Sequence, residues 1–232
     1  MSESESQAVR NRYERRKTEV AADRYSLLNP DVWHGTVERQ REMLRLFSRQ
    51  GWRSVAPIKL LEIGCGSGGN LLEFLRLGFR PENLTGIELL EDRVEAAQRV
   101  LPGGVVRQGD ALAVGLPVES FDVVFQSVVF SSLLDDKFQQ DLARRMWSLV
   151  KPGGGVLWYD FIYNNPKNPD VRGVSIARIR ELFPQGDMVL KRVTLAPPVA
   201  RRVCKVYSGL YPLFNALPFL RSHVLVWIRK PA

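Results

Sequence analysis

The sequence predicts an α/β fold, a parallel sheet with helices on both faces, and two observations carry that expectation. From residue 58 onward, short apolar, β-branched runs alternate with helical segments, the order that βαβ units require. The first of these runs ends in a glycine-rich turn that leads directly into a helix. Length agrees, because 232 residues make one substantial core and are too few for two comfortable domains.

Taken in order, Ser2 to Ser6 read as disordered and the densely charged stretch from Gln7 to Arg24 as an exposed helix. Tyr25-Ser26-Leu27-Leu28-Asn29-Pro30 breaks it, since Pro30 disfavours helix at Asn29. Asp31 is placed to cap a second helix running to about Gln50, with Val37, Leu44 and Phe47 as core-facing positions. Residues 1–50 thus form an N-terminal helical lid, and 51–232 the main domain with an insertion at about 195–221. In that domain, strands are expected at 58–63, 83–88, 105–108, 121–126 and 155–159, and helices at 69–77, 92–100 and 136–149. Lys151-Pro152-Gly153-Gly154 closes the last of those helices. Two further strands, near 188–194 and 223–229, complete the sheet.

Composition narrows the function. Hydrophobic residues at 45% and charged residues at 25% are the balance of a soluble globular chain, and no apolar run reaches the roughly 18 residues of a membrane span. No signal-peptide stretch opens the chain, and two cysteines are too few for a disulfide framework or a zinc site, so a cytoplasmic enzyme is expected. The net charge of +8 is unevenly placed: no Asp or Glu follows Asp187, while eight Lys and Arg do. Such asymmetry favours an anionic partner, whether a phosphorylated metabolite, a nucleic acid or the inner face of an acidic membrane.

The glycine turn carries the chemistry. Glycine permits positive φ and close backbone approach, and the following helix N-terminus offers unpaired N–H groups. Gly64, Gly66 and Gly69 satisfy the dinucleotide spacing, so an NAD-binding oxidoreductase is an alternative. Glu62 argues against it, because a carboxylate there suits the amino group of a methionine and would repel a pyrophosphate. Glu88, ending the next strand, can accept from both ribose hydroxyls. Gly109-Asp110-Ala111 places a further carboxylate where an adenine amino group would lie.

With Leu60-Leu61-Glu62-Ile63-Gly64-Cys65-Gly66-Ser67-Gly68, Gly86-Ile87-Glu88, Gly109-Asp110-Ala111, Phe121-Asp122-Val123-Val124 and Leu149-Val150-Lys151-Pro152-Gly153-Gly154, the chain resembles the class I methyltransferase family over residues 58–160. The resemblance implies a Rossmann-like sheet of seven strands, mostly parallel with an antiparallel last strand, and S-adenosyl-L-methionine as methyl donor. It further implies that Glu62, Gly64, Cys65, Gly66 and Gly68 surround the methionine end, that Glu88 holds the ribose, and that Leu89 packs on the adenine. Asp110 and Ala111 would read the adenine edge, and Gln126 would contact the methionine moiety.

The acceptor side has no short motif, because methyl transfer asks mainly for alignment, water exclusion and sometimes a base. His34, whose ordinary pKa lies near neutrality, and Asp160 are the candidate catalytic residues. Tyr25, Trp33, Asn164, Asn165, Tyr207 and Tyr211 are candidate acceptor contacts, and Tyr207, Tyr211 and Phe214 are spaced for one helical stripe. His223, at the start of the last strand, reads as structural. Asp160 with Asn164 and Asn165 gives part of a Mg²⁺ site of the catechol type, with no metal as the main reading. The lead-in before Pro30, the Asn-rich segment after the fifth strand and the Leu-Pro-Phe-Leu-Arg-Ser-His close are similar to bacterial methyltransferases of polysaccharide synthesis. That resemblance implies O-methylation of a saccharide acceptor. The apolar run Val203–Leu220 reads as core packing or a homodimer contact, or, with the flanking Arg201, Arg202, Lys205 and Arg221, as a surface that meets a phosphorylated or lipid-linked acceptor by peripheral membrane contact. An RNA acceptor is the alternative.

Overall fold

A computed structural model of the chain describes residues 4–19, 23–166 and 168–232, the side chains of 16–19 excepted. Ser2 and Glu3, read above as disordered, lie outside the described residues, as do residues 20–22 of the predicted first helix and Lys167 of the Asn-rich segment. Seven strands form one sheet: β1 (Leu60–Ile63), β2 (Leu84–Glu88), β3 (Val105–Gln108), β4 (Phe121–Ser127), β5 (Val150–Phe161), β6 (Asp187–Leu195) and β7 (Arg221–Arg229). Their spatial order is β3-β2-β1-β4-β5-β7-β6. The five β1–β5 strands run parallel, and β7 lies antiparallel between β5 and β6. The order reverses at β1/β4, the place where open α/β sheets bind ligands beyond their carboxyl ends.

Because β7 runs against its neighbours, its beginning lies at the carboxyl edge of β5, with His223 opposite Phe161. Predicted and observed strands differ most at β5. Lys151-Pro152-Gly153-Gly154 is drawn into it, with a register shift against β4 between Phe121 and Val123.

Eight α-helices accompany the strands among the described residues: α1 (Glu5–Glu19), α2 (Pro30–Arg49), α3 (Gly69–Arg76), α4 (Glu91–Val100), α5 (Asp136–Leu149), α6 (Ile176–Leu182), α7 (Pro197–Val206) and α8 (Tyr211–Asn215). Strand side chains alternate between two cores. Leu60, Phe125, Leu157 and Leu225 face α2, α3 and α4, where Phe74 meets Phe125 edge-on at 5.2 Å. Leu61, Val124, Trp158 and Val224 face α5 and α6. Each large side chain so buried contributes roughly 1.5–3 kcal/mol.

The two N-terminal helices depart from the sequence reading. Pro30 is the first helical residue of α2 and Asn29 its cap, without a side-chain bond, while Asp31 sits in the first turn. Phe47 is buried as expected, but Val37 and Leu44 are exposed, and Glu38 and Glu42 take the inward stripe with Met43 and Leu46. The reason is polar. Glu38 Oε2 accepts from the backbone N–H of Thr194 (2.9 Å) and Glu42 Oε2 from Lys191 Nζ (2.6 Å), tying α2 to β6. The α1 helix begins at Glu5 rather than Gln7 and is not wholly exposed, since Val9 and Arg12 are buried against the main domain.

Candidate active site

At the end of β1 the chain turns through Gly64, Gly66 and Gly68, all with positive φ (67°, 54° and 85°). The N–H groups of Gly64 and Cys65 donate to the carbonyl of Ile87 (2.8 and 3.0 Å), which fixes the turn against β2. A Cβ on Gly64 would lie 2.7 Å from a methyl of Val129, whereas one on Gly66 would meet nothing within 4 Å. Gly66 therefore borders open space, a cradle that only a bound group would fill. Glu88 holds this loop from the next strand. Its Oε2 accepts from Gly66 N–H (2.8 Å), and its Oε1 from Leu89 and Leu90 N–H (2.8 and 3.0 Å).

Beyond the turn lies a cleft of about 720 Å³, open to solvent on one side. Gly64, Glu88, Leu89, Asp110 and Ala111 form one wall. The other is α1, through Ser6, Val9 and Tyr13. Ser6 Oγ donates to Asp110 Oδ2, and Asp110 Oδ1 also accepts from Leu112 N–H (2.9 Å). Arg12 donates to the carbonyl of Ser132 (3.0 Å), Glu5 accepts from Leu134 N–H (2.8 Å), and the Arg93 guanidinium lies 4.4 Å above the Tyr13 ring. Charged side chains thus clamp α1 as a roof, which is why hydrophobic periodicity did not reveal its packing.

Glu62 is fully buried. Its Oε1 accepts from Asn70 Nδ2 (2.6 Å), and its Oε2 has no partner among the described residues. Burial pushes its pKa up from 4.5 to about 8, against the opposing pull of Asn70 and Arg39. An unpartnered buried carboxyl oxygen calls for a donor, and a cationic amino group would supply it. From Asn70 the network continues, because Asn70 Oδ1 accepts from Arg39 Nη2 (2.9 Å) and Arg39 pairs with Glu73 (2.8 Å). Arg39, which motif reading missed, keeps a buried Nε without a partner among the described residues.

One prediction arises here. Between 4.5 and about 8 the folded chain holds a Glu62 proton that the unfolded chain releases. Ligand-free stability therefore falls as pH rises through that window. A bound ammonium group draws the pKa back down, so S-adenosylhomocysteine binding near neutral pH releases a proton. Calorimetric titration in buffers of different ionisation enthalpy measures it, and Glu62→Gln abolishes it. Equal enthalpies for the unaltered chain would exclude this role for Glu62.

A second cavity of about 660 Å³ opens on the α2 side of the carboxyl edge. Arg24, Tyr25, Arg39, Tyr159, Arg201 and His223 are among its walls. Arg39 Nη1, in the wall of this cavity, donates to Ser127 Oγ (3.5 Å), which lines the first cleft. His223 is buried and stacked on Tyr159 (5.0 Å between centroids, 15°), with Nδ1 2.9 Å from Ser222 Oγ. Among the described residues its Nε2 meets no hydrogen-bond partner. Burial, and then the Arg39 charge, push its pKa down to about 4, so the imidazole is neutral at physiological pH.

The other sequence candidates scatter. Tyr25 is exposed and lines the second cavity. His34 turns away from it and stacks on the buried Tyr211 at 4.8 Å. Asp160 and Gln126 lie on the α5 face of the sheet with Trp158 and Val224, away from the second cavity. Asp160 spends its oxygens on Ser131 and Phe161 N–H (3.1 and 2.9 Å) and is fully buried. Gln126 spends its amide on Tyr159 O and Val129 N–H (3.3 and 3.0 Å). Trp33 is exposed outside the cavity, Asn164 caps Gly173 N–H (2.9 Å), and Asn165 is exposed in the same loop. Tyr207 is extended (φ −164°) and points to solvent while Tyr211 is buried, so no single stripe joins them. Cys65 is buried, with its thiol pushed far up by burial, consistent with a space-filling role. Among the described residues, no three His, Cys, Asp or Glu side chains gather as a metal ligand set. His223, read from the sequence as structural, lies near the start of β7, and the antiparallel direction of that strand sets it at the carboxyl edge of β5.

Residues 61–158 match the family model of the methyltransferase domain. The tRNA N(3)-cytidine methyltransferase METTL2 of Gallus gallus is 28% identical over 117 residues. These make up 47% of this chain, which spans about a third (31%) of that relative's length. An S-adenosylmethionine-dependent methyltransferase from Mesorhizobium loti shares the fold with a TM-score of 0.59 at 16% identity, covering 78% of this chain and 95% of that one. A SAM-dependent methyltransferase from Archaeoglobus fulgidus gives 0.58 at 17% identity, covering 82% and 94%.

Proposed function

We propose that this chain, an S-adenosylmethionine-dependent class I methyltransferase, methylates a hydroxyl of a saccharide or other small-molecule acceptor, with His223 as the base. The observation that carries this reading is a neutral imidazole in the wall of a cavity that adjoins the cofactor cleft. When bound, the cofactor would supply an electrophilic methyl group, whose bond to the sulfonium sulfur breaks as the acceptor bond forms and leaves the neutral thioether S-adenosylhomocysteine. Glu62 would hold its amino group, Arg39 its carboxylate, Glu88 its ribose, and Asp110 with Ala111 and Leu89 its adenine. With Nδ1–H donated to Ser222, His223 Nε2 takes the proton that the hydroxyl loses as its oxygen bonds to carbon. Arg24 and Arg201 at the cavity walls favour an acceptor carrying phosphate or carboxylate. Tyr25 supplies a flat surface of the kind a sugar ring uses.

A second reading, an RNA acceptor, is favoured by one finding, the likeness to a tRNA methyltransferase. A labelled-methyl transfer screen over glycans, phosphorylated sugars, lipid-linked intermediates and RNA, with and without Mg²⁺, separates the two. Transfer to the sugar class supports the leading reading. Transfer to RNA alone, weakening steeply with salt, overturns it.

A further inference from the structure

The insertion between β6 and β7 has an outer face that no other part of the described chain covers. Helix α7 buries Ala200 and Val203 and turns Arg202 and Lys205 outward. Helix α8 buries Tyr211 and Asn215. Leu213 (66% exposed), Leu217 and Phe219 (70% exposed) project to water, together with Val206 and Tyr207. No charged residue occurs from Val206 to Leu220, yet Arg201, Arg202, Lys205 and Arg221 bracket that run. Single exposed apolar residues are ordinary, but a charge-free run of them rimmed by cations marks a contact surface.

We infer that this face docks on the surface of an anionic lipid bilayer. Apolar side chains entering the headgroup boundary and basic residues meeting anionic lipid are the two terms of interfacial binding. The cations would repel a second copy of the same face, and a nucleic acid would leave Leu213, Leu217 and Phe219 in water. The position has a consequence for access. Arg201 of α7 lines the second cavity beside Arg24 and Tyr25, and Leu28, almost fully exposed, follows in the same lead-in. Docking would bring the mouth of that cavity to the bilayer surface.

Co-sedimentation of the full chain with phosphatidylcholine vesicles, with and without phosphatidylglycerol, tests this directly. The chain pellets with the anionic vesicles and is released by salt. Leu213→Glu with Phe219→Glu loses binding. Arg202→Glu with Lys205→Glu lowers it at least roughly tenfold. All four side chains are exposed or lie on exposed positions, so unchanged circular-dichroism melts accompany the loss. Absence of binding by the unaltered chain, or binding indifferent to both pairs, overturns the inference. So does a dimer that the Leu213→Glu, Phe219→Glu pair dissociates, or retention on RNA in place of vesicles. No methyl transfer is read, so the outcome is independent of the acceptor assigned above.

Discussion

His223→Ala lowers kcat by about 100- to 10,000-fold, the range that positioned general bases contribute, while S-adenosylhomocysteine binds within about twofold of normal. The separation follows from geometry, since His223 lines the second cavity and not the cofactor cleft. Ser222→Ala has a smaller effect on the same parameter, because it removes the group that biases Nδ1 toward donation. His34→Ala stays near normal, as its ring is spent on Tyr211. Retained turnover in His223→Ala would remove it from the mechanism.

The pH dependence has a definite sign. A base depressed to about 4 is already unprotonated at neutrality, so kcat/KM rises through about pH 4 and is then flat. The groups around it are Asp31, Glu38 and Arg39 of α2, Tyr159 of β5, Arg201 of α7 and Arg24 before α2. In the unfolded chain the same histidine titrates at 6.5. Its contribution to stability is therefore present above 6.5 and is lost as pH falls toward about 4. Acid unfolding monitored by fluorescence should shift to lower pH in His223→Ala.

The glycine turn of the candidate site was legible because backbone geometry demands particular residues there. A strand that must turn at positive φ next to a ligand leaves glycine at Gly64, Gly66 and Gly68, and their spacing shows in any sequence of this fold. Glu62 and Glu88 were legible for the same reason, being fixed in register to that turn. The lining of the second cavity was not, because it depends on which face of the sheet a strand residue occupies. Tyr159 and Asp160 are adjacent in sequence, and only pairing with β7 decides that the tyrosine meets His223 while the aspartate faces α5. Residue identity alone favoured the aspartate. Likewise, Glu38 and Glu42 occupy inward positions of α2 because β6 offers them Thr194 N–H and Lys191, partners 149 or more positions away. The α1 roof is held by hydrogen bonds to carbonyl and amide groups after β4, and no periodicity of its own could announce them.

Glu88→Ala weakens cofactor binding by roughly 10- to 100-fold, and the argument rests on what its two oxygens already do. They accept from Gly66, Leu89 and Leu90 N–H, so the carboxylate joins the glycine turn to the loop after β2 before any ligand arrives. One site, on Oε2, stays free, and a charge-assisted hydrogen bond from a ribose hydroxyl there would contribute about 1.5–3 kcal/mol, which is about one to two decades in affinity. Losing the carboxylate also leaves three backbone donors to water or to nothing, at about 1–3 kcal/mol for each one that stays dry. Melting temperature therefore falls even without ligand. Glu88→Gln separates the two effects. An amide can satisfy one side of the carboxylate but turns its NH₂ toward a backbone N–H on the other, so it recovers part of the stability and little of the affinity. If Glu88→Gln bound S-adenosylhomocysteine normally, the carboxylate would serve the loops alone, and the ribose would have to be held by the backbone of the cleft.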